Sequence, residues 1–202
     1  MRSGRCTIKI SKRGKHGAPS KINPSVAEWI KDILIAALIA LIVMQFVKPT
    51  IVKQHSMEPN FYTNDYLFIS KQSYRLFRGT PELGDVIVFK SEIEDDNGIK
   101  KLLIKRVIGV PGDVITIEDG VVYVNGKEID QSYTKDNYTS GSLKDVVVPA
   151  DSVFVMGDNR AVSIDSRYEQ VGFIPFDEIV GKAVFKVLPL GSFGRIGNPY
   201  KE

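Results

Sequence analysis

The chain is poor in the residues that build disulfides and metal sites. Among 202 residues there is one cysteine, Cys6, and there are two histidines, His16 and His55. A lone cysteine makes no internal disulfide. One cysteine and two histidines do not supply the three or four nitrogen and sulfur ligands of an ordinary zinc centre. A metal held by oxygen needs clustered carboxylates, and no acidic run has calcium-loop spacing. The expectation is no metal and no cofactor. An excess of one charge is missing too. Twenty-seven Lys and Arg against 24 Asp and Glu leave a formal net charge of +3, too little for a global field that would gather nucleic acid. No internal repeat of fixed period occurs.

What charge there is lies unevenly. Between Met1 and Lys31 stand eight Lys or Arg and a single acid, Glu28. An apolar run, "ILIAALIALIVM", follows from Ile33 to Met44. Counted from Trp29 to Val47 the stretch has 19 residues, about 28 Å as a helix, against a hydrocarbon core of roughly 30 Å. Trp29 suits one interface, Lys31 can snorkel toward it, and Pro49 stops the helix. A buried core helix and a cleaved secretory signal share part of this pattern. "FVKPTIVK", however, offers no pair of small residues in an A-x-A arrangement for cleavage. The reading is an uncleaved anchor, leader inside the cell and the remainder outside. The expected organisation is a basic cytoplasmic leader at 1–28, a transmembrane anchor at 29–48 and an extracytoplasmic domain at 49–202.

Beyond Val47 no sustained helical period appears. Short apolar runs alternate with turn residues: "DVIVF", "LLIKRVIGV", "DVITIEDGVVYVNGKEI", "DVVVPADSVFVMGD" and "IVGKAVFKVLPL". Asp119-Gly120 and Asn125-Gly126 are tight-hairpin pairs, since both residues tolerate positive φ. The fold class expected is mainly β: an antiparallel β-rich core with a small second β lobe over 113–154, preceded by one transmembrane helix. Residues 91–101 read as an exposed ribbon tip and 130–145 as a polar loop. The Gly-rich tail "GSFGRIGNPYKE" reads as loosely ordered.

Chemistry centres on "VKQHSMEPNF". A serine hydroxyl attacks carbonyls only when a base takes its proton. His16 lies in the leader. His55 adjoins Ser56, and neighbours in an extended chain point to opposite faces. A lysine kept neutral by burial is the other base available. Lys105 interrupts an apolar strand whose Leu103 and Val107 share its face. On spacing alone it reads first as a lysine snorkelling from an edge strand. "GDNRAVSIDSR", Gly157 to Arg167, is either a solvated loop or a brace for a site. It directly follows the apolar strand "SVFVM".

Taken in order, Ser56-Met57-x-Pro59, "GDVIVF", "KRVIGVPGD" and "GDNRAVSIDSR" resemble the bacterial type I signal peptidases, the leader peptidase family, in its Gram-positive-like single-anchor form. The resemblance covers nearly all of Trp29 to Leu188, and four ordered boxes are far more specific than one S-M-x-P. It implies a β-rich Ser–Lys serine endopeptidase that cuts signal peptides from exported preproteins at A-x-A sites, outside the membrane and near the secretion translocon. It implies Ser56 as nucleophile, Lys105 as general base and Ser163 as hydrogen-bond partner of the lysine amine. Asp165 and Arg167 would form a structural ion pair. Met57 and Pro59 would shape the serine's turn, and Gly157, Asp158, Asn159 and Arg160 would frame the site. Gln54 stands where the family usually has Gly or Ser; its amide would support the oxyanion or face solvent, with the Ser56 N–H also serving. Asn60-Phe61 replaces the more usual Thr-Leu and reads as packing variation. Two other readings remain at this point: a specialised relative that processes one partner such as a pilus subunit, and a non-catalytic membrane-anchored β module.

Overall fold

The computed structural model describes residues 26–74 and 79–201. The basic leader up to residue 25, with Cys6 and His16, lies outside the described residues. One compact unit ends at Ile39 and the next begins at Ala40.

The apolar run forms helix α1, Val26–Phe46. Its side chains from Glu28 onward are exposed all round, Ile33, Leu38 and Leu41 among them. A helix that is apolar on every face and unburied by protein has the character of a membrane span. Glu28–Phe46 is long and apolar enough to cross a bilayer. The helix stops at Phe46, before Val47-Lys48-Pro49, because proline cannot donate to the ladder and disfavours helix in the residue before it.

Strands take over at once. In chain order they are β1 (Val47–Ile51), β2 (Tyr66–Ser70), β3 (Val86–Glu94), β4 (Lys100–Gly109), β5 (Val114–Glu118), β6 (Val121–Val124), β7 (Lys127–Glu128), β8 (Leu143–Val147), β9 (Ser152–Met156), β10 (Ile174–Pro175), β11 (Ile179–Leu188) and β12 (Gly194–Arg195). An eight-stranded sheet runs β1-β2-β11-β3-β4-β9-β10, with β12 paired to β11, and a four-stranded sheet runs β7-β6-β5-β8. All pairings are antiparallel. Pro49 lies in β1, at the edge, where a missing N–H costs no ladder bond. In the β5–β6 turn Asp119 and Gly120 both have positive φ, as do Asn125 and Gly126 between β6 and β7, the backbone these hairpin turns demand.

The small sheet shares its core with the large one. Ile115, Ile117 and Val122 pack with Ile108, Phe154 and Met156 of β4 and β9. Ser152 to Phe154, expected in the second lobe, belong instead to β9 of the large sheet. The tail departs from the loose order expected of it. Ile196 packs against the core around Val52 and Met57, and Asn198 Nδ2 donates to the Leu83 carbonyl at 2.8 Å. A few apolar and amide side chains anchor a Gly-rich segment that composition alone reads as free.

Candidate active site

Ser56 sits in a single 3-10 turn, His55–Met57, between β1 and β2. Met57 is fully buried in a core with Val52, Phe61, Leu67 and Val86, so the turn is held by its methionine. Two bonds from the opposite loop fix the backbone: Asn159 N–H donates to the Ser56 carbonyl at 3.0 Å and Asn159 Nδ2 to the His55 carbonyl at 3.2 Å.

Lys105 lies in β4 with Ile87 as its Cα partner on β3. Burial of the side chain removes the snorkelling reading. The side chain is 1% exposed. Its alternation partners Leu103 and Val107 belong to a core with Ile87, Phe89 and Val155. The amine stands 2.6 Å from Ser56 Oγ. Burial in these apolar surroundings pushes Lys105 from its usual 10.5 down to about 8; the carboxylates of Asp165 and Asp158 oppose the shift and the Arg167 guanidinium adds to it. Arg106, the next residue on β4, takes no part in this. Arg106 instead points across the strand and is bound by Asp158, Nε to Oδ1 at 2.9 Å and Nη2 to Oδ2 at 2.7 Å.

The loop after β9 is a buried brace and not a solvated loop. Asp158, Asn159, Arg160, Ser163, Asp165 and Ser166 are all buried. Arg167 Nε donates to Asp165 Oδ1 at 2.8 Å, and Asp165 Oδ2 accepts the Gly157 N–H at 3.0 Å. A Cβ on Gly157 would collide with the Ser163 hydroxyl and the Ser56 carbonyl, so only glycine permits this approach. Ser163 departs from expectation. Its buried hydroxyl has no hydrogen-bond partner, and the lysine amine is hydrogen-bonded to Ser56.

Other residues fall differently. Gln54 is exposed, makes no capping bond to the turn and lines a groove of about 720 Å³. His55 turns outward, its side chain 70% exposed, and pairs with Glu58 at 2.6 Å. Asn60 is not packing variation: its amide donates to Asp158 Oδ2 at 2.9 Å and to the Tyr133 carbonyl at 2.8 Å. The polar loop at 130–145 is partly buried, with Gln131 Oε1 and Thr139 Oγ1 accepting from Arg160 Nη1 at 3.0 and 2.5 Å. Nothing local in the sequence marks Asn60, Gln131, Thr139 or Tyr133 for this work. Among the described residues no group of His, Cys, Asp and Glu is placed to hold a metal ion.

The groove has strand edges for both walls. One is Pro49 to Gln54, and the other is Ile99 to Ile104. β1 ends the sheet, and β4 pairs β9 only from Arg106 to Gly109. Both walls therefore present strand edges, and the groove reaches Gln54, two residues before Ser56, and Ile104, the neighbour of Lys105.

A serine hydroxyl beside a buried amine has the parts of a nucleophile and its base, the equipment of a serine endopeptidase. Residues 26–188 match the family described as signal peptidase, peptidase S26. Signal peptidase IB of Staphylococcus aureus (strain COL) is 36% identical over 192 residues, covering 86% of this chain and 95% of the relative. Probable signal peptidase I-2 of Synechocystis is 36% identical over 181 residues, covering 86% and 80%. A solved signal peptidase I from Enterococcus faecalis V583 aligns over 52% of this chain and 97% of its own, at 28% identity and a TM-score of 0.42. The chain belongs to the signal peptidase family, peptidase S26, and with α1 it is a membrane-anchored member.

Proposed function

We propose that the protein removes signal peptides from exported preproteins, with Ser56 as nucleophile and Lys105 as general base. One observation carries the assignment of roles: the Lys105 amine lies 2.6 Å from the Ser56 hydroxyl in a pocket that lowers the amine to about 8. In its neutral form the amine accepts the hydroxyl proton as Ser56 Oγ attacks the scissile carbonyl carbon. The resulting ammonium returns that proton to the leaving amine, and an acyl-enzyme remains. Lys105, neutral again, takes a proton from water, whose oxygen attacks the ester; the proton returns to Ser56 Oγ as the peptide acid leaves. The Ser56 N–H and the Gln54 amide are the proposed donors to the oxyanion. Asp165 with Arg167, and Asp158 with Arg106, keep the walls of the pocket fixed.

The substrate enters as an extended strand between the two free edges, hydrogen-bonding through its backbone. Specificity is for small residues one and three positions before the cut, as the family resemblance implies. The leader lies inside the cell and the β domain outside, where preproteins emerge beside the translocon. A protease added to intact spheroplasts should digest the β domain and spare the leader.

The deciding experiment is cleavage of a preprotein with an A-x-A site. The parent should cut it and Ser56→Ala should not, while Phe at either specificity position should slow the parent by orders of magnitude. Equal rates for Ala and Phe would sink the assignment. A specialised single-partner peptidase would cut its own partner and leave general preproteins intact.

A further inference from the structure

We propose that Tyr133 and Tyr200 are positioning residues for this site: they lock the 130–140 loop across the nucleophile turn, the lysine strand and the loop after β9, and so hold Ser56 at its distance from Lys105. The proposal rests on the peptidase reading above.

Tyr133 touches all three segments. Its carbonyl accepts from Asn60, four residues after Ser56, at 2.8 Å. Its ring lies 4.6 Å from the guanidinium carbon of Arg106, the neighbour of Lys105. Its hydroxyl accepts from Arg160 Nη2 at 3.1 Å. The adjoining loop adds ties to the same places: Lys135 N–H donates to the Asp158 carbonyl at 3.1 Å, and Lys135 Nζ to Glu58 Oε2 at 3.0 Å.

Tyr200 closes this arrangement from the tail. The rings of Tyr133 and Tyr200 meet edge to face, centroids 5.9 Å apart, and their hydroxyls are 2.9 Å apart. Tyr200 has one proton and gives it to the Asp130 carbonyl at 2.9 Å. Tyr133 must then donate to the Tyr200 oxygen, which leaves its own lone pair for Arg160. The network has a single direction, and each proton is used once. Burial pushes both phenols up, so both protons stay in place across the working pH range. The tail is seated by contact: Gly84, at positive φ, leaves no room for a Cβ beneath Asn198 and Tyr200. Arg106 Nη1 donates to the carbonyl of that same Gly84 at 3.0 Å.

A misplacement of about 1 Å between reacting groups costs on the order of a hundredfold in rate, so loosening this lock should act on turnover. The test uses the full chain in detergent, with the parent and Ser56→Ala as references, below the unfolding temperature of every variant. Tyr133→Ala and Tyr200→Ala should lose about tenfold or more in kcat with KM held within about twofold. Tyr200→Phe, which removes one hydroxyl and little else, should lose about fivefold. The midpoint of the pH–kcat/KM profile should rise from about 8 in Tyr133→Ala as water reaches Lys105, whose neighbours Ser56, Asp165, Asp158 and Arg167 are unaltered. Variants that melt earlier yet keep the parent's kcat and pH midpoint would overturn the proposal. If an alanine variant does not fold, Tyr200→Phe decides by the same two readouts. A parent that cuts no preprotein would refute the peptidase reading instead.

Discussion

Lys105 and Arg106 follow one another on β4, and both are buried cations. Their environments differ in one respect. Arg106 is given a carboxylate, Asp158, in two-point contact, with the Gly84 carbonyl for a further N–H. Lys105 is given a hydroxyl and apolar side chains. Burial alone penalises either charge; a fixed counter-charge decides whether the charge survives. Arg106 stays a cation and braces the fold, whereas Lys105 gives up its charge more readily, as its proposed role of base requires. The strand's alternation accomplishes the separation, since consecutive side chains face opposite sides of the sheet.

The largest effect should come from removing the base. Lys105→Met should abolish preprotein cleavage and leave the protein at least as stable as the parent near pH 7, because Met fills similar space without a charge to desolvate. An inactive variant that is also grossly unfolded would mean the lysine is structural. Next comes the bracing cation. Arg106→Met strands the buried Asp158 carboxylate and should cost about 3–5 kcal/mol in denaturant unfolding; a loss under about 1 kcal/mol would mean that the pair contributes little, as exposed pairs do.

The pH dependence of stability separates the two sites further. Lys105 has a folded value of about 8 against an ordinary 10.5. A depressed lysine penalises folding wherever the unfolded chain holds the proton and the folded chain resists it. The penalty is complete below about 8, at roughly 3 kcal/mol, and fades as pH rises toward 10.5. The stability difference between the parent and Lys105→Met should shrink through that window. A constant difference would show that the amine keeps its charge. The smallest effect expected is at Gln54. Gln54→Ala should lower kcat by no more than about 10²–10³-fold, and a change within about twofold would place the amide in solvent with the backbone N–H acting alone.

Ser56 and Lys105 could be singled out as candidates from local patterns, S-M-x-P after an apolar run and a lysine set among apolar residues, but their proposed pairing was legible only through the resemblance of the four ordered boxes. The antiparallel β character and the hairpin turns were legible from Asp119-Gly120 and Asn125-Gly126. What holds the pair together was not. Asn60 acts on Asp158 and Tyr133, and Tyr200 acts on Tyr133, across 98, 73 and 67 residues of chain. A polar loop such as 130–145 has the same composition whether it is solvated or folded over Arg160. Only the tertiary arrangement distinguishes the two. Ser163 shows the converse: the resemblance gives it a bond to the lysine amine, and here its buried hydroxyl has no partner while the amine faces Ser56.

The central claim is that Lys105 loses its proton well below the ordinary lysine range because burial outweighs the carboxylates of Asp165 and Asp158, neither of which binds the amine. The most direct test is a side-chain NMR titration of the Lys105 amine in the detergent-solubilised protein, with the resonance assigned by its absence in Lys105→Met. A midpoint near 8, well under the ordinary 10.5, is the result predicted. A midpoint at or above the ordinary value would mean that Lys105 is a charged lysine like Arg106 beside it, and Ser56 would be left without a base.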